Sequence, residues 1–191
     1  MKETSKTRTV LQNVRLSYAH IWEPAEDLNG SLKYSVSLII PKDDKANLAR
    51  IKKAIEAAKI EGKSKLANKK GVIPSNIDLP VRDGDVDRAD DENYAGCYYL
   101  NAKAYPDHAP KIVDHKCEPV MDQSEVYSGC YAHVSVNFFA YNKNGNSGVS
   151  VGLGNIMKYK DGEPLSGGAS AEEDFADLTS DEDESADNFL N

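Results

Sequence analysis

Two stretches of this chain place aromatic rings, amides and cations at alternate positions. From Cys97 to Tyr105, the residues Tyr99, Asn101, Lys103 and Tyr105 form one row, opposite Tyr98, Leu100, Ala102 and Ala104. From Cys130 to Tyr141, Tyr131, His133, Ser135, Asn137, Phe139 and Tyr141 stand opposite Cys130, Ala132, Val134, Val136, Phe138 and Ala140. Successive side chains of a strand point to opposite faces, so each stretch carries one core row and one mixed row facing outward. Unpaired bases stack on exposed rings, and the phosphates between them need nearby cations. The mixed rows therefore nominate Tyr99, Lys103, Tyr105, Tyr131, His133 and Phe139 as contacts for single-stranded nucleic acid. Lys33, on the outer face of another strand, joins them, with Trp22 and Lys42 as second choices. The plainer reading is that strands favour Tyr and Phe for packing alone, or that a second layer covers these faces.

Other residue groups suggest other chemistry. Asp83, Asp85 and Glu92 could hold Mg²⁺ for hydrolysis, and this supports an alternative reading as a metal-dependent nuclease or other DNA-processing enzyme. Asp83-Gly84-Asp85-Val86-Asp87 opens like a calcium loop, but Arg88 stands where that loop needs Gly and Tyr94 where it needs Glu. His108, His115, Cys117, Cys130 and His133 lie close in sequence, yet alternation puts Cys130 and His133 on opposite faces of one strand. No Cys-x-x-Cys supports zinc. The chain has no phosphate-binding glycine loop, nucleophile elbow or dinucleotide fingerprint. The expectation is a non-enzymatic protein without cofactor or metal.

The elements needed to position these rows read as mainly β. Val10–Tyr18 is an expected strand with Val14, Leu16 and Tyr18 on one face. A second, Leu32–Ile40, turns Tyr34, Val36, Leu38 and Ile40 inward and ends at Pro41. Asp43 or Asp44 caps a helix from Lys45 to about Ile60, with Leu48, Ile51, Ile55 and Ala58 at helical spacing. Residues 71–95 read as a long connection. Ile112-Val113 suits a short strand, and Asn144-Gly145 is a hairpin signal between Cys130–Tyr141 and a last strand from Val149. Strands without βαβ alternation, plus one or two helices, predict a small closed β-barrel.

Charge divides the chain. It has 191 residues and a formal net charge of −8, with 23 Lys plus Arg and 31 Asp plus Glu. Eleven of those acids and no base fall in 161–191, leaving residues 1–160 at +3. The domain reading is a nucleic-acid-binding body, 1–160, and an acidic tail, 161–191. The tail is rich in Gly, Ser, Ala, Asp and Glu, too poor in apolar side chains to offset its ordering entropy, and is read as disordered. Within the body, residues 42–70 carry ten bases against four acids, a second possible phosphate surface. No stretch approaches the length of an apolar membrane span, and no apolar segment follows the first residues as a secretory signal would require. Three cysteines argue against a disulfide framework and for a reducing compartment.

Several segments together resemble a family of bacteriophage single-stranded DNA-binding proteins, long catalogued as a domain of unknown function. They are Leu16-Ser17-Tyr18 with Trp22-Glu23-Pro24, the run Lys33 to Lys42, Arg82 to Asp85, Tyr127 to Tyr131, Gly145 to Ser150, and Asp161 to Leu165. Their order and spacing carry the resemblance, over nearly all of residues 8–165. It implies an oligonucleotide-binding fold (OB-fold) with an acidic C-terminal tail. The implied function is binding of unpaired DNA without sequence preference during phage replication, recombination and repair, in the cytoplasm of a bacterial host. The tail's Phe189 and Leu190 are then expected to meet phage or host replication proteins, and a homodimer is compatible with this reading.

Overall fold

The computed structural model of the chain describes residues 5–165. Seven strands run β1 Arg8–Glu26, β2 Leu32–Pro41, β3 Arg82–Asp83, β4 Cys97–Ala104, β5 Ile112–Val113, β6 Tyr131–Lys143 and β7 Asn146–Lys160. They are joined by helices α1 Lys45–Glu61, α2 Lys63–Leu66 and α3 Gly84–Asp87. The sheet order is β3-β4-β2-β1-β6-β7-β5, and a further β4–β7 pairing closes it. Five strands thus form a barrel, β1-β2-β4-β7-β6 and back to β1. Every pair is antiparallel except the closing seam, where Lys103 sits parallel to Gly152. This is the five-stranded oligonucleotide-binding barrel. Residues 71–95, read as a connection, contribute the short β3 and α3.

Alternation supplies the core. Val36, Leu38 and Ile40 of β2 meet Leu100 and Ala102 of β4, and Ala132, Val134, Val136 and Phe138 of β6, all buried. Each fully buried Leu, Ile, Val or Phe contributes about 1.5–3 kcal/mol of transfer free energy. The β6–β7 hairpin turns at Asn144-Gly145, both at positive φ (53° and 81°), the left-handed pair that a two-residue turn with this twist requires.

α1 closes one end of the barrel. Asp44 caps it, accepting from the Asn47 backbone N–H at 3.0 Å. Ile51, Ala54, Ile55 and Ala58 face inward, and buried Asn47 bolts the helix to β1. Its Nδ2 donates to Gln12 O at 2.7 Å, and its Oδ1 accepts from Gln12 N–H at 3.0 Å.

β1 serves two neighbours, and its register shifts at three places, Leu11/Val14, Ser17/His20 and His20/Ala25. Residues Arg8–Leu11 and Val14–Arg15 pair with β6, while Arg15–Ser17, His20 and Ala25–Glu26 pair with β2. The first two shifts contain Asn13 (φ 53°) and Tyr18 (φ 46°), two non-glycine residues in the left-handed region. Such bulges bend a strand and re-aim its side chains. The second one corrects the expectation for Tyr18: its ring leaves the core row of Val14 and Leu16 and is exposed.

The expected body–tail boundary at 160/161 falls inside a packed strap. Lys158 Nζ lies 2.7 Å from Asp161, and Tyr127 Oη donates to Gly162 O at 2.8 Å. Arg15 Nη2 donates to Glu163 O at 2.8 Å, and Leu165 N–H donates to Ser128 O at 2.9 Å. Gly129, at φ +115°, lies against this strap so closely that a Cβ there would strike Glu163 O. Residues 161–165 therefore belong with the barrel, and the remainder of the tail, including Phe189 and Leu190, lies outside the described residues.

Candidate nucleic-acid interface

Three adjoining hollows cross the outer face of the barrel. The central one, about 570 Å³, lies over the β4–β7 seam and is lined by Lys33, Lys103, Tyr105, Asn137, Phe139 and Gly152, among others. It shares Lys33 and Lys103 with a second hollow of about 280 Å³ that reaches Tyr18 and the β1–β2 turn. It shares Arg8, Ser135 and Asn155 with a third, of about 580 Å³, that reaches Lys111, Cys117 and His133. Together they form one open groove.

Local structure explains its shape. Phe139 (44% exposed) and Tyr105 (65% exposed) stand on the outward rows of β6 and at the end of β4. Opposite them β7 offers Ser150, Gly152 and Gly154, which leave room above the seam. Gly154 is required for a second reason: a Cβ there would collide with the Ser135 hydroxyl, which instead accepts from the Asn155 backbone N–H at 2.7 Å.

The groove is electropositive along most of its length. Arg8, Lys33, Lys103 and Lys111 line the central and third hollows, and no Asp or Glu does. Among the described residues Arg8, Lys103 and Lys111 enter no ion pair. Lys33 differs, since its Nζ lies 3.2 Å from Asp27 and 5.4 Å from the Tyr105 ring centroid. The Asp27 carboxyl is held below its ordinary range, first by the Ser31 and Asn29 backbone N–H groups and then by Lys33. Lys33 therefore bridges an acid and a ring.

Four of the residues nominated from sequence, Lys33, Lys103, Tyr105 and Phe139, meet in the central hollow. His133 lines the third, with Nδ1 accepting from the Asn13 backbone N–H at 3.0 Å and its ring 4.9 Å from that of Tyr159. Tyr131 stands apart, half-buried beside the strap, with Lys160 4.7 Å and Arg15 5.8 Å from its ring. Lys160 also lies 5.8 Å from Tyr159, so cations and rings continue from His133 to Tyr131.

Tyr99 corrects the alternation argument. Only 6% exposed, it packs against Ile39 and Tyr94 in a small second core, its ring 5.1 Å from that of Tyr94. The segment 92–94 and the strap's Leu165 cover the β4 face there, as a second layer would. The basic stretch 42–70 supplies no lining residue to any of the three hollows. Of the second choices, Trp22 is partly buried and donates from Nε1 to Val126 O at 3.0 Å. Sequence reasoning missed Arg8, Lys111, Tyr18 and Tyr159. Arg8 and Lys111 stood outside the rows that alternation singled out, and Tyr18 was hidden by its bulge.

The proposed carboxylate trio is not assembled. Lys42 Nζ sits 2.7 Å from both Asp83 and Asp85, with 5.1 Å to the Tyr98 ring centroid. Asp83 also caps α3 and Asp85 accepts from Gly96 N–H at 2.8 Å. Among the described residues no three His, Cys, Asp or Glu side chains are grouped to share a metal ion. Cys130 is buried in the core, away from the outward His133. Lys42, then Gly96 N–H, holds the Asp85 carboxyl below its ordinary value. A depressed acid stabilises the fold above its unfolded value and loses that contribution as pH falls through its folded one. In Lys42→Met, carboxyl NMR should show the Asp85 titration moving back up; an unchanged midpoint would refute the ion pair as its main cause.

A family model described as the ssDNA-binding protein of Enterobacter phage Enc34 matches residues 7–188. Protein p50 of Acyrthosiphon pisum secondary endosymbiont phage 1 is 34% identical over 183 residues, covering 91% of this chain and 95% of that protein. Among solved structures, the single-stranded DNA-binding protein from bacteriophage Enc34 in complex with ssDNA superposes with a TM-score of 0.68. Its identity is 24%, over 86% of this chain and 96% of that one. The single-stranded DNA-binding protein gp2.5 of bacteriophage T7 gives a TM-score of 0.56 at 20% identity, over 85% and 97% of the two chains. These two likenesses agree with the barrel topology, and on the strength of the family match this chain belongs to the Enterobacter phage Enc34 ssDNA-binding protein family.

Proposed function

We propose that this protein is a non-enzymatic binder of single-stranded DNA that acts without sequence preference. Its setting is phage DNA replication, recombination and repair in the cytoplasm of the bacterial host, as a monomer or homodimer. One observation carries the reading: a groove over the barrel seam combines exposed Tyr105 and Phe139 with Arg8, Lys103 and Lys111, and no carboxylate lines that part. Rings accept any base, and cations accept any phosphate. Family membership supports the same substrate.

Titration with fluorescent oligo-dT at several salt concentrations tests it. Three or four neutralised phosphates give a slope of log affinity on log salt of roughly −2 to −3, at about −0.7 each. Lys103→Gln should make the slope shallower by about 0.7. A flat salt dependence would contradict the electrostatic half of the proposal. Labelled oligonucleotides should be slowed in gels and stay intact with Mg²⁺; shortening would favour a nuclease.

The tail completes the proposal. A tethered polyanion competes with DNA for a cationic groove at high effective concentration, and Phe189 and Leu190 recruit replication partners. Because 161–165 are packed, the informative cut lies after Leu165. It removes nine acids and no base, taking the formal charge from −8 to +1. Truncation should tighten oligo-dT binding at low salt and make less difference at high salt, where screening weakens the competition. Equal affinities at low salt would exclude competition. Substituting Phe189 and Leu190 by Ala should lose partners and leave DNA affinity unchanged.

A further inference from the structure

Tyr18 is held in a place that packing alone does not require. Its backbone is left-handed, φ 46°, a region bulky side chains rarely adopt. Its neighbours fix the bulge: Ser17 pairs with Ser37 on β2, and the Ala19 N–H donates to Ser128 Oγ at 3.0 Å. The ring is 54% exposed. Behind it the Arg88 guanidinium lies 5.2 Å from the ring centroid and is itself set over Tyr94 at 5.6 Å and Tyr99 at 5.8 Å, both buried. Backbone strain of this kind persists where the surroundings over-determine it, and it concentrates at functional sites. The result is a flat ring presented outward and backed by a clamped cation.

Its two flanks differ in charge. On one side Tyr18 lines the hollow at the end of the groove, where Lys33 and Lys103 offset Glu26 and Asp27. On the other it borders a hollow where Asp87, Asp90, Asp91 and Glu92 outnumber a single cation, Arg88. A phosphate backbone following Lys103 toward Tyr18 meets carboxylates beyond it, and like charges in a cleft disfavour its continuation.

We propose that Tyr18, backed by Arg88, stacks the terminal base of the bound DNA segment, and that the acidic rim 87–92 ends the phosphate path there. This rests on the single-stranded DNA reading above and assigns one boundary of that site.

The test uses the full-length protein and the shortest oligo-dT that reaches full affinity, with a single 5-iodo-deoxyuridine walked along it. Photocrosslinks to Tyr18, located by mass spectrometry, should come from one or two positions at one end only. Tyr18→Ala should weaken binding of that oligonucleotide about 5- to 150-fold, as loss of one stacked base does, with an unchanged salt slope because no phosphate contact is lost. Tyr18→Phe should bind like the wild type. Tyr18→Gly, which accepts the positive φ without strain, should melt no lower than the wild type and bind as weakly as the alanine variant; this separates loss of the ring from loss of the fold. Asp87→Asn with Asp90→Asn should lengthen the oligonucleotide needed to reach full affinity. Crosslinks spread over internal positions would overturn the terminal placement. Wild-type affinity in Tyr18→Ala with weakened binding in Phe139→Ala would overturn the proposal and leave the binding reading standing. Wild-type affinity in both would overturn the two together.

Discussion

Replacing Phe139 and Tyr105 together by alanine should weaken oligo-dT binding by about 2–6 kcal/mol, at roughly 1–3 kcal/mol for each stacked base. Both rings are exposed and line the central hollow. Neither lies in the core cluster that holds the barrel, so melting temperature should hardly change. Tyr105 carries one further contact, the Lys33 ammonium 5.4 Å from its centroid. Removing that ring frees Lys33 toward Asp27, so part of the loss in Tyr105→Ala should be electrostatic and visible as a shallower salt slope. Phe139→Ala should leave the slope alone. The measurement is a double-mutant cycle by fluorescence titration, with melting curves for all four proteins. Wild-type affinity in the folded double variant would remove this hollow from the DNA path.

Val134→Asp should severely destabilise the barrel at neutral pH. Val134 is fully buried at the centre of β6, between β1 and β7, where Leu11 and Ile156 pair with it. An uncompensated buried charge costs about 3–5 kcal/mol, and the lost apolar burial adds about 1.5 kcal/mol or more. Domains of this kind have roughly 5–15 kcal/mol in total. The pH dependence has a definite sign. Burial disfavours the charged carboxylate and raises its folded pKa above the unfolded value of about 3.9. The folded state then binds more protons between the two values, so the stability of the variant falls as pH rises through that window. Urea denaturation at mildly acidic and neutral pH should show the difference between Val134→Asp and Val134→Asn narrowing toward acid. A gap that stays constant would mean the introduced carboxyl is solvated, and that this part of β6 is not sealed.

The thiols follow the same physics. Burial is the main cause that pushes the Cys97 and Cys130 thiols above their ordinary value. Both are free, and a raised thiol carries less of the nucleophilic thiolate at neutral pH.

Sequence alone determined what depends on local period and local turn chemistry. Period-two alternation located β2, β4 and β6 and assigned the core rows that contain Val36, Leu100 and Val134. Helical spacing with Asp44 ahead of it located α1, and Asn144-Gly145 located the closing hairpin, because two adjacent positive φ angles are cheap only for such residues. It also brought four future neighbours, Lys33, Lys103, Tyr105 and Phe139, onto outward rows before their meeting was visible. Tertiary structure decided everything that depends on which face is later covered and on where alternation breaks. Tyr99 lies on the outward row of β4, but the 92–94 turn and Leu165 cover it, and no local pattern reports a covering segment from elsewhere in the chain. Tyr18 reads as core because period two assumes a regular strand; the bulge at φ 46° turns its ring out. Asp83 and Asp85 look like paired metal ligands until Lys42, some forty residues earlier, is folded between them. The groove itself exists only because β4 and β7 close in parallel at Lys103 and Gly152. That long-range contact brings Lys33 and Lys103 alongside Phe139, and closures between strands this distant in sequence leave no periodic trace.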